Sequence, residues 1–149
     1  MNQTETYAKL IDLSKQLDLN KLHVRGLLKS LASSLSVDIA YAHFEKLILD
    51  VSLVKIPSVW KAVQHHRHET SYSAFALSNM SKLVWDSLQK KYHIGDLFDD
   101  EILSYKRGML KPDLETLKLA LKQSHRRAAE CTFLDDSDAN IAAASSLGL

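Results

Sequence analysis

At 149 residues, with 46% hydrophobic and 25% charged residues and a formal net charge of +1, the chain holds enough apolar material for one cored domain and is too short for two large ones. That balance leaves out the concentrated basic face that nucleic acid or an anionic membrane requires. No apolar run approaches the ~18 residues of a membrane span, and none reads as a signal peptide. The single cysteine, Cys131, excludes an internal disulfide framework and fits a reducing compartment, so a cytoplasmic protein is expected.

Up to about residue 50 the apolar spacing is helical. Tyr7, Leu10, Ile11 and Leu17 form one stripe, with Asn2 and Glu5 placed for a capping box. Val24, Leu27, Leu28 and Leu31 form a second. After a Ser36 cap, Ile39, Ala40, Phe44, Leu47, Ile48 and Val51 form a third. These are packing faces of a small helical subdomain spanning residues 1–55.

From Pro57 the pattern changes. Residues 57–64 read as a helix, 72–77 as a short strand ending in Ser78-Asn79, and 80–92 as a helix with Leu83, Val84 and Leu88 inward. Residues 101–104 read as a strand, 114–123 as a helix, 131–134 as a strand and 139–147 as a helix. Strands alternating with helices at this spacing predict an α/β fold with a parallel sheet over residues 56–149. Cys131 opens the last strand, where a buried, inert thiol is expected. The runs His65-His66-Arg67-His68 and His125-Arg126-Arg127 fall near helix ends, where cations complement the dipole. Asp99-Asp100-Glu101 reads as a solvated turn; a diphosphate-binding acid motif would need a carboxylate where Leu103 stands.

Three polar positions follow predicted strands, at the carboxyl edge where open α/β sheets build their sites. They are Ser78 with Asn79, Lys111 in the loop before Pro112-Asp113, and the pair Asp135-Asp136. A hydroxyl and an ammonium suit phosphoryl oxygens, and paired carboxylates suit a divalent cation. Each residue also has a plainer role: Ser78 as a helix cap, Lys111 as a loop lysine, the aspartates as caps of the alanine-rich helix.

The stretches Ala76-Leu77-Ser78-Asn79-Met80, Leu97-Phe98-Asp99-Asp100 through Ser104, Gly108-Met109-Leu110-Lys111-Pro112-Asp113, and Phe133-Leu134-Asp135-Asp136-Ser137 through Asn140-Ile141 and Leu147-Gly148 together resemble the haloacid dehalogenase (HAD) superfamily of hydrolases. The resemblance covers residues 57–149 and includes three of the family's four motifs in order. It implies a Rossmann-like parallel sheet with a helical cap, the helices before residue 50 being that cap. It also implies Mg²⁺-dependent hydrolysis through an aspartyl intermediate. Ser78 and Lys111 would then be catalytic. Ser78, Asn79 and Lys111 would bind substrate, a small phosphorylated or halogenated metabolite. Asp136 would be the direct Mg²⁺ ligand, with Asp135 in support; this pair leans the reading towards phosphate.

The family's first motif, an apolar strand ending Asp-x-Asp, has no counterpart before Tyr7. Its absence would remove the nucleophile and leave an incomplete, truncated sheet with a gap between the strands carrying Ser78 and Asp135. The usual final strand is missing as well. Lys46-Leu47-Ile48-Leu49-Asp50 offers an alternative nucleophile in Asp50, with Ser52 replacing the acid/base, although the run continues the helical stripe from Phe44. Little or no turnover is therefore expected from the chain as it stands. The competing reading is a non-catalytic HAD-derived interaction protein that fills its sheet gap with another chain, a homodimer being one such arrangement.

Overall fold

The computed structural model describes residues 3–36, 38–68 and 72–149. Four helices come first: α1 (Gln3–Asp18), α2 (Val24–Leu35), α3 (Tyr41–Ser52) and α4 (Pro57–His68). Then follow β1 (Phe75–Ser78), α5 (Lys82–Tyr92), a 3₁₀ turn (Ile94–Leu97), β2 (Asp100–Leu103), α6 (Ser104–Arg107), α7 (Leu114–Ser124), a second 3₁₀ turn (Ala128–Glu130) and α8 (Asp138–Ser146). The strands pair in parallel, Phe75 opposite Asp100 through Ser78 opposite Leu103. Parallel pairing needs a long crossover, which α5 supplies. The α/β class expected from the sequence is the class observed, as a small parallel sheet with many helices.

The first cluster of packed side chains lies among the early helices: Leu13, Val24, Leu27 and Phe44, with Leu17, Leu31, Ile48 and Leu83 against them. The second surrounds the sheet: Ala76, Trp85 and Leu103, with Met80, Ile94, Phe98 and Tyr105. Helix α5 contributes to both. Leu83 and Trp85 are two residues apart, roughly 200° around a helix, so its two faces serve different clusters. Ile102 and Leu103 point to opposite faces of β2 and are 1% and 0% exposed, so the strand is covered on both sides, as parallel strands are.

Several expectations shift. The stripe on α1 is rotated: Leu13 is buried and Leu17 packs beside it, whereas Tyr7, Leu10 and Ile11 are exposed, because the neighbouring helices select which of several apolar faces is covered. On α3 Phe44 is buried while Leu47 and Val51 face outward, and Ile39 precedes the helix. Ser36 ends α2 instead of starting α3, at φ 53° with its N–H bonded to the Ala32 carbonyl. Helix α4 runs four residues further than predicted. The acidic triplet is not a solvated turn: Asp99 bonds the Ala74 N–H, Asp100 accepts from Gln123, and Glu101 pairs with Lys106. The proposed partner of Glu5, Asn2, lies outside the described residues.

Residues 131–134 form no strand. Cys131 is extended (φ −115°, ψ 148°), but the sheet contains β1 and β2 alone among the described residues. Apolar sequence sets the extended conformation; a ladder also needs a neighbour for its N–H and C=O groups. Cys131 is half-buried instead of buried, its thiol 3.5 Å from the Arg127 carbonyl. Among the described residues no helix is long and apolar enough to cross a membrane.

Truncating Leu103 to Ala should cost about 2–4 kcal/mol, since both transfer and cavity terms apply at a fully buried strand position. Urea unfolding would measure it, and a loss under about 1 kcal/mol would mean that β2 is not the packed centre. Asp18, at the end of α1, makes a pH-dependent contribution. Burial raises its carboxyl from 3.8 to about 6. The folded chain then retains a proton that the unfolded chain releases, so the stability linked to the neutral acid is complete below the unfolded value and falls as pH rises through about 6. Asp18→Asn should therefore raise stability near neutral pH by roughly 1 kcal/mol, allowing for solvent screening, and leave it unchanged in acid. An equal gain at both pH values would refute this.

Candidate functional site

The register brings the ends of β1 and β2 to one edge of the sheet, so Ser78 and Ser104 emerge side by side. Past α6 the chain turns at Gly108, whose φ of 69° is the left-handed conformation glycine adopts without strain, and whose N–H closes on the Ser104 carbonyl at 2.8 Å. The loop then returns across the edge. Asp113 caps α7 by accepting from the Glu115 N–H at 3.0 Å, and Thr116 Oγ1 donates to the Leu110 carbonyl at 3.2 Å. Lys111 is thereby held between two anchored segments.

Asn79 fixes Lys111 from the other side. Its Nδ2 donates to the Lys111 carbonyl at 2.8 Å and its Oδ1 accepts the Lys111 N–H at 2.7 Å. Both ends of this amide are engaged with one main-chain unit, which makes Asn79 a clamp. The Lys111 side chain reaches Asp135, Nζ to Oδ2 at 2.5 Å, with exposures of only 11% and 5%. The ammonium also lies 5.7 Å from the Phe133 ring centroid.

Asp135 accepts on both of its oxygens. Its Oδ1 accepts the Ser137 N–H at 2.9 Å and Asn140 Nδ2 at 2.8 Å, while Oδ2 takes Lys111. Burial opposes its charge, yet the hydrogen bonds from Lys111, Asn140 and Ser137, with the lysine's charge, outweigh it and hold the carboxyl below the usual carboxylate range. Asp136 is the reverse: exposed, and without a protein hydrogen bond among the described residues. Ser78 is half-buried, and among the described residues its hydroxyl makes no hydrogen bond. The helix that follows is capped by Ser81, which accepts from Val84 N–H. The capping role open to Ser78 is thus filled by another residue.

The structure therefore brings Asn79, Lys111 and Asp135 into direct contact, with Ser78 and Asp136 adjacent in the chain. It does not bring Asp50 there. That residue lies on α3, exposed and paired with Lys46 at 2.5 Å, and Ser52 is the last residue of the same helix. No group of three or more His, Cys, Asp or Glu side chains is placed for a metal among the described residues. Two carboxylates are nevertheless a sufficient protein contribution for Mg²⁺, which keeps water and takes phosphate oxygens as its remaining ligands. Of the two, Asp136 is the one whose oxygens accept no protein hydrogen bond among the described residues. Two buried polar residues here, Asn140 and Ser104, 9% and 3% exposed, lie in the motif stretches named from sequence but were given no role there. Asn140 had a signal, an amide five residues beyond a strand-end aspartate. Ser104 had none beyond its place at a strand end.

The chain matches the haloacid dehalogenase-like hydrolase family over residues 4–148. It is 35% identical over 77 residues to a sesquiterpene phosphatase of Aspergillus oryzae, an overlap of 52% of this chain and 39% of that protein. Among solved structures, a HAD family enzyme of Bacteroides thetaiotaomicron superposes over 99% of this chain and 76% of its own, at TM-score 0.72 and 19% identity. The same enzyme in complex with magnesium and inorganic phosphate superposes over 90% of this chain and 70% of its own, at TM-score 0.66 and 20% identity. A HAD-like hydrolase of Porphyromonas gingivalis, described as predicted, does so over 91% and 68%, at TM-score 0.74 and 21% identity. At these identities the superpositions speak for the fold. The family match over nearly the whole length speaks for more: this chain belongs to the haloacid dehalogenase-like hydrolases.

Proposed function

We infer that the chain carries the Mg²⁺- and phosphate-holding edge of a phosphohydrolase acting on a small phosphorylated metabolite. The observation that supports this best is the Lys111–Asp135 pair, buried at the carboxyl edge of the sheet, with Asp136 next in the chain and Ser78 next to the Asn79 clamp, neither side chain hydrogen-bonded among the described residues. In this reading Asp136 holds the cation and Asp135 orients Lys111. The Lys111 ammonium and Ser78 hydroxyl hold phosphoryl oxygens, and Asn79 fixes the Lys111 main chain. Bound Mg²⁺ would supply charge neutralisation at the phosphoryl group. The phosphatase relative and the magnesium–phosphate complex favour phosphate over halide as the leaving chemistry. Helices α1–α3 are the part read as the cap, over residues 1–55.

Covalent turnover is a separate matter. The family route runs through an aspartyl nucleophile. Asp135 is tied to Lys111, Ser137 and Asn140 and Asp50 lies on an exposed helix face, so neither fits that role. Little or no hydrolysis is expected from this chain alone, and binding is the property to test. A second reading, a non-catalytic interaction protein, is favoured by one observation: residues 131–134, opening at the extended Cys131, pair with no strand among the described residues, and Leu134 is 84% exposed. An added strand from a second copy would cover both.

Calorimetry should detect inorganic phosphate binding with Mg²⁺ present and much less without it. Asp136→Asn should abolish the dependence on the cation. Lys111→Met should weaken phosphate binding at least tenfold and lower stability by about 3–5 kcal/mol, because it strands a buried carboxylate. Absence of any phosphate binding in Mg²⁺, or an Asp136→Asn variant indistinguishable from the parent, would defeat the phosphohydrolase reading. A stable dimer in sedimentation, with no phosphate binding, would establish the second.

A further inference from the structure

Ser104, the first residue after β2, is 3% exposed and carries a hydroxyl with three main-chain partners. Its Oγ accepts the Met80 N–H at 2.8 Å. Its own hydrogen has two carbonyls in reach, that of Asp18 at 2.8 Å and that of Met80 at 3.2 Å. Met80 directly follows Ser78 and Asn79, and Asp18 is the last residue of α1. One buried hydroxyl therefore joins the end of β2, the loop carrying Ser78, and the helical lobe. These contacts span 24 and 86 residues of sequence, so no local turn accounts for them.

The loop 78–80 is consequently held from two sides. Asn79 ties it to the Lys111 main chain, and Met80 ties it to Ser104. A hydroxyl has one hydrogen and two acceptor sites, so Ser104 donates to one carbonyl at a time while continuing to accept from Met80. Donation to Asp18 couples α1 to the loop. Donation to Met80 anchors the loop without involving α1. Anchoring and coupling are thus separable functions of the same group.

We propose that Ser104 is a positioning residue for phosphate binding: through Met80 it fixes the loop that presents Ser78, and through Asp18 it registers the helical lobe against that loop. The inference rests on reading Ser78 and Lys111 as the phosphate-holding groups. Mg²⁺ belongs to the other end of the edge, at Asp136, which Ser104 does not touch.

The test uses Ser104→Cys, close in shape but a poor hydrogen-bonding group, and Ser104→Thr, which keeps the hydroxyl. Three quantities are read on the full chain: the Kd of inorganic phosphate in Mg²⁺, the Kd of Mg²⁺ alone, and amide exchange at Met80. In the Cys variant phosphate should bind about tenfold more weakly and the Met80 amide exchange about tenfold faster, the scale of one lost hydrogen bond, with Mg²⁺ affinity unchanged. The Thr variant should recover phosphate affinity. Parental phosphate affinity in the Cys variant overturns the proposal. So does an equal loss of Mg²⁺ affinity, which would mark general loosening. If the parent binds no phosphate, the phosphohydrolase reading fails on its own account. Met80 exchange then decides the anchor: unchanged exchange in Ser104→Cys overturns it and faster exchange supports it. Should the Cys variant not fold, Ser104→Ala takes its place under the same criteria.

Discussion

The Lys111–Asp135 pair is where three separate stretches of chain become dependent on one another. Taking two charges out of water is expensive, and a pair this deeply placed persists only when both groups have further partners. Asp135 obtains them from Ser137 and Asn140; the Lys111 ammonium faces the Phe133 ring, while Asn79 clamps its main chain in place. Such a chain of contacts contributes little net stability compared with an apolar replacement. What it contributes is a constraint: the end of β1, the loop before α7 and the start of α8 are in register together or the charges are left unpaired.

That constraint sits on a small base. The sheet is two strands wide among the described residues, and its burial is supplied by helices on both faces, α5 foremost. Because α5 gives Leu83 to the helical cluster and Trp85 to the sheet cluster, the two bodies of side chains share one wall. Tyr92, at the far end of that helix, packs edge-on against Trp60 and donates to the Leu53 carbonyl at 3.0 Å, so the segment joining α3 to α4 is held there too. Ser104 makes the corresponding link at the near end, beside the site. The helical lobe is thus fastened at both ends, by the ring and hydroxyl of Tyr92 at one and by the buried Ser104 hydroxyl at the other.

How much of this was legible depends on what each residue needs in order to act. Lys111-Pro112-Asp113 and Leu134-Asp135-Asp136-Ser137 were readable because their chemistry is local to the motif: a strand end, a turn, a cap. The parallel pairing of β1 and β2 followed from strand–helix–strand spacing. Asn79 was read as a substrate-binding amide because its partner, a main-chain unit 32 residues away, leaves no mark on the sequence around it. Ser104 escaped for the same reason at a separation of 86. The rotation of the α1 stripe was hidden because Leu10, Ile11, Leu13 and Leu17 admit more than one apolar face, and only the neighbour chooses. Residues 131–134 were read as a strand since composition fixes extension, whereas strand identity belongs to a pair of segments.

Electrostatics then separates the two adjacent aspartates and decides what the edge can accept. Asp135 cancels the charge of Lys111 almost on contact, so the lysine by itself offers a phosphate dianion an ammonium already spoken for. Asp136 stands beside it in the chain as an exposed carboxylate without a protein hydrogen bond among the described residues, and would oppose the same dianion. On the phosphohydrolase reading, such an edge would have little attraction for phosphate until a divalent cation occupied the Asp136 side, when the local sign would reverse and the ammonium could be shared. Cation and anion should therefore bind as one coupled event, each raising the affinity for the other by the same factor. Coupling of this kind distinguishes a built site from a basic surface patch, which would take phosphate without help and lose it to salt alone.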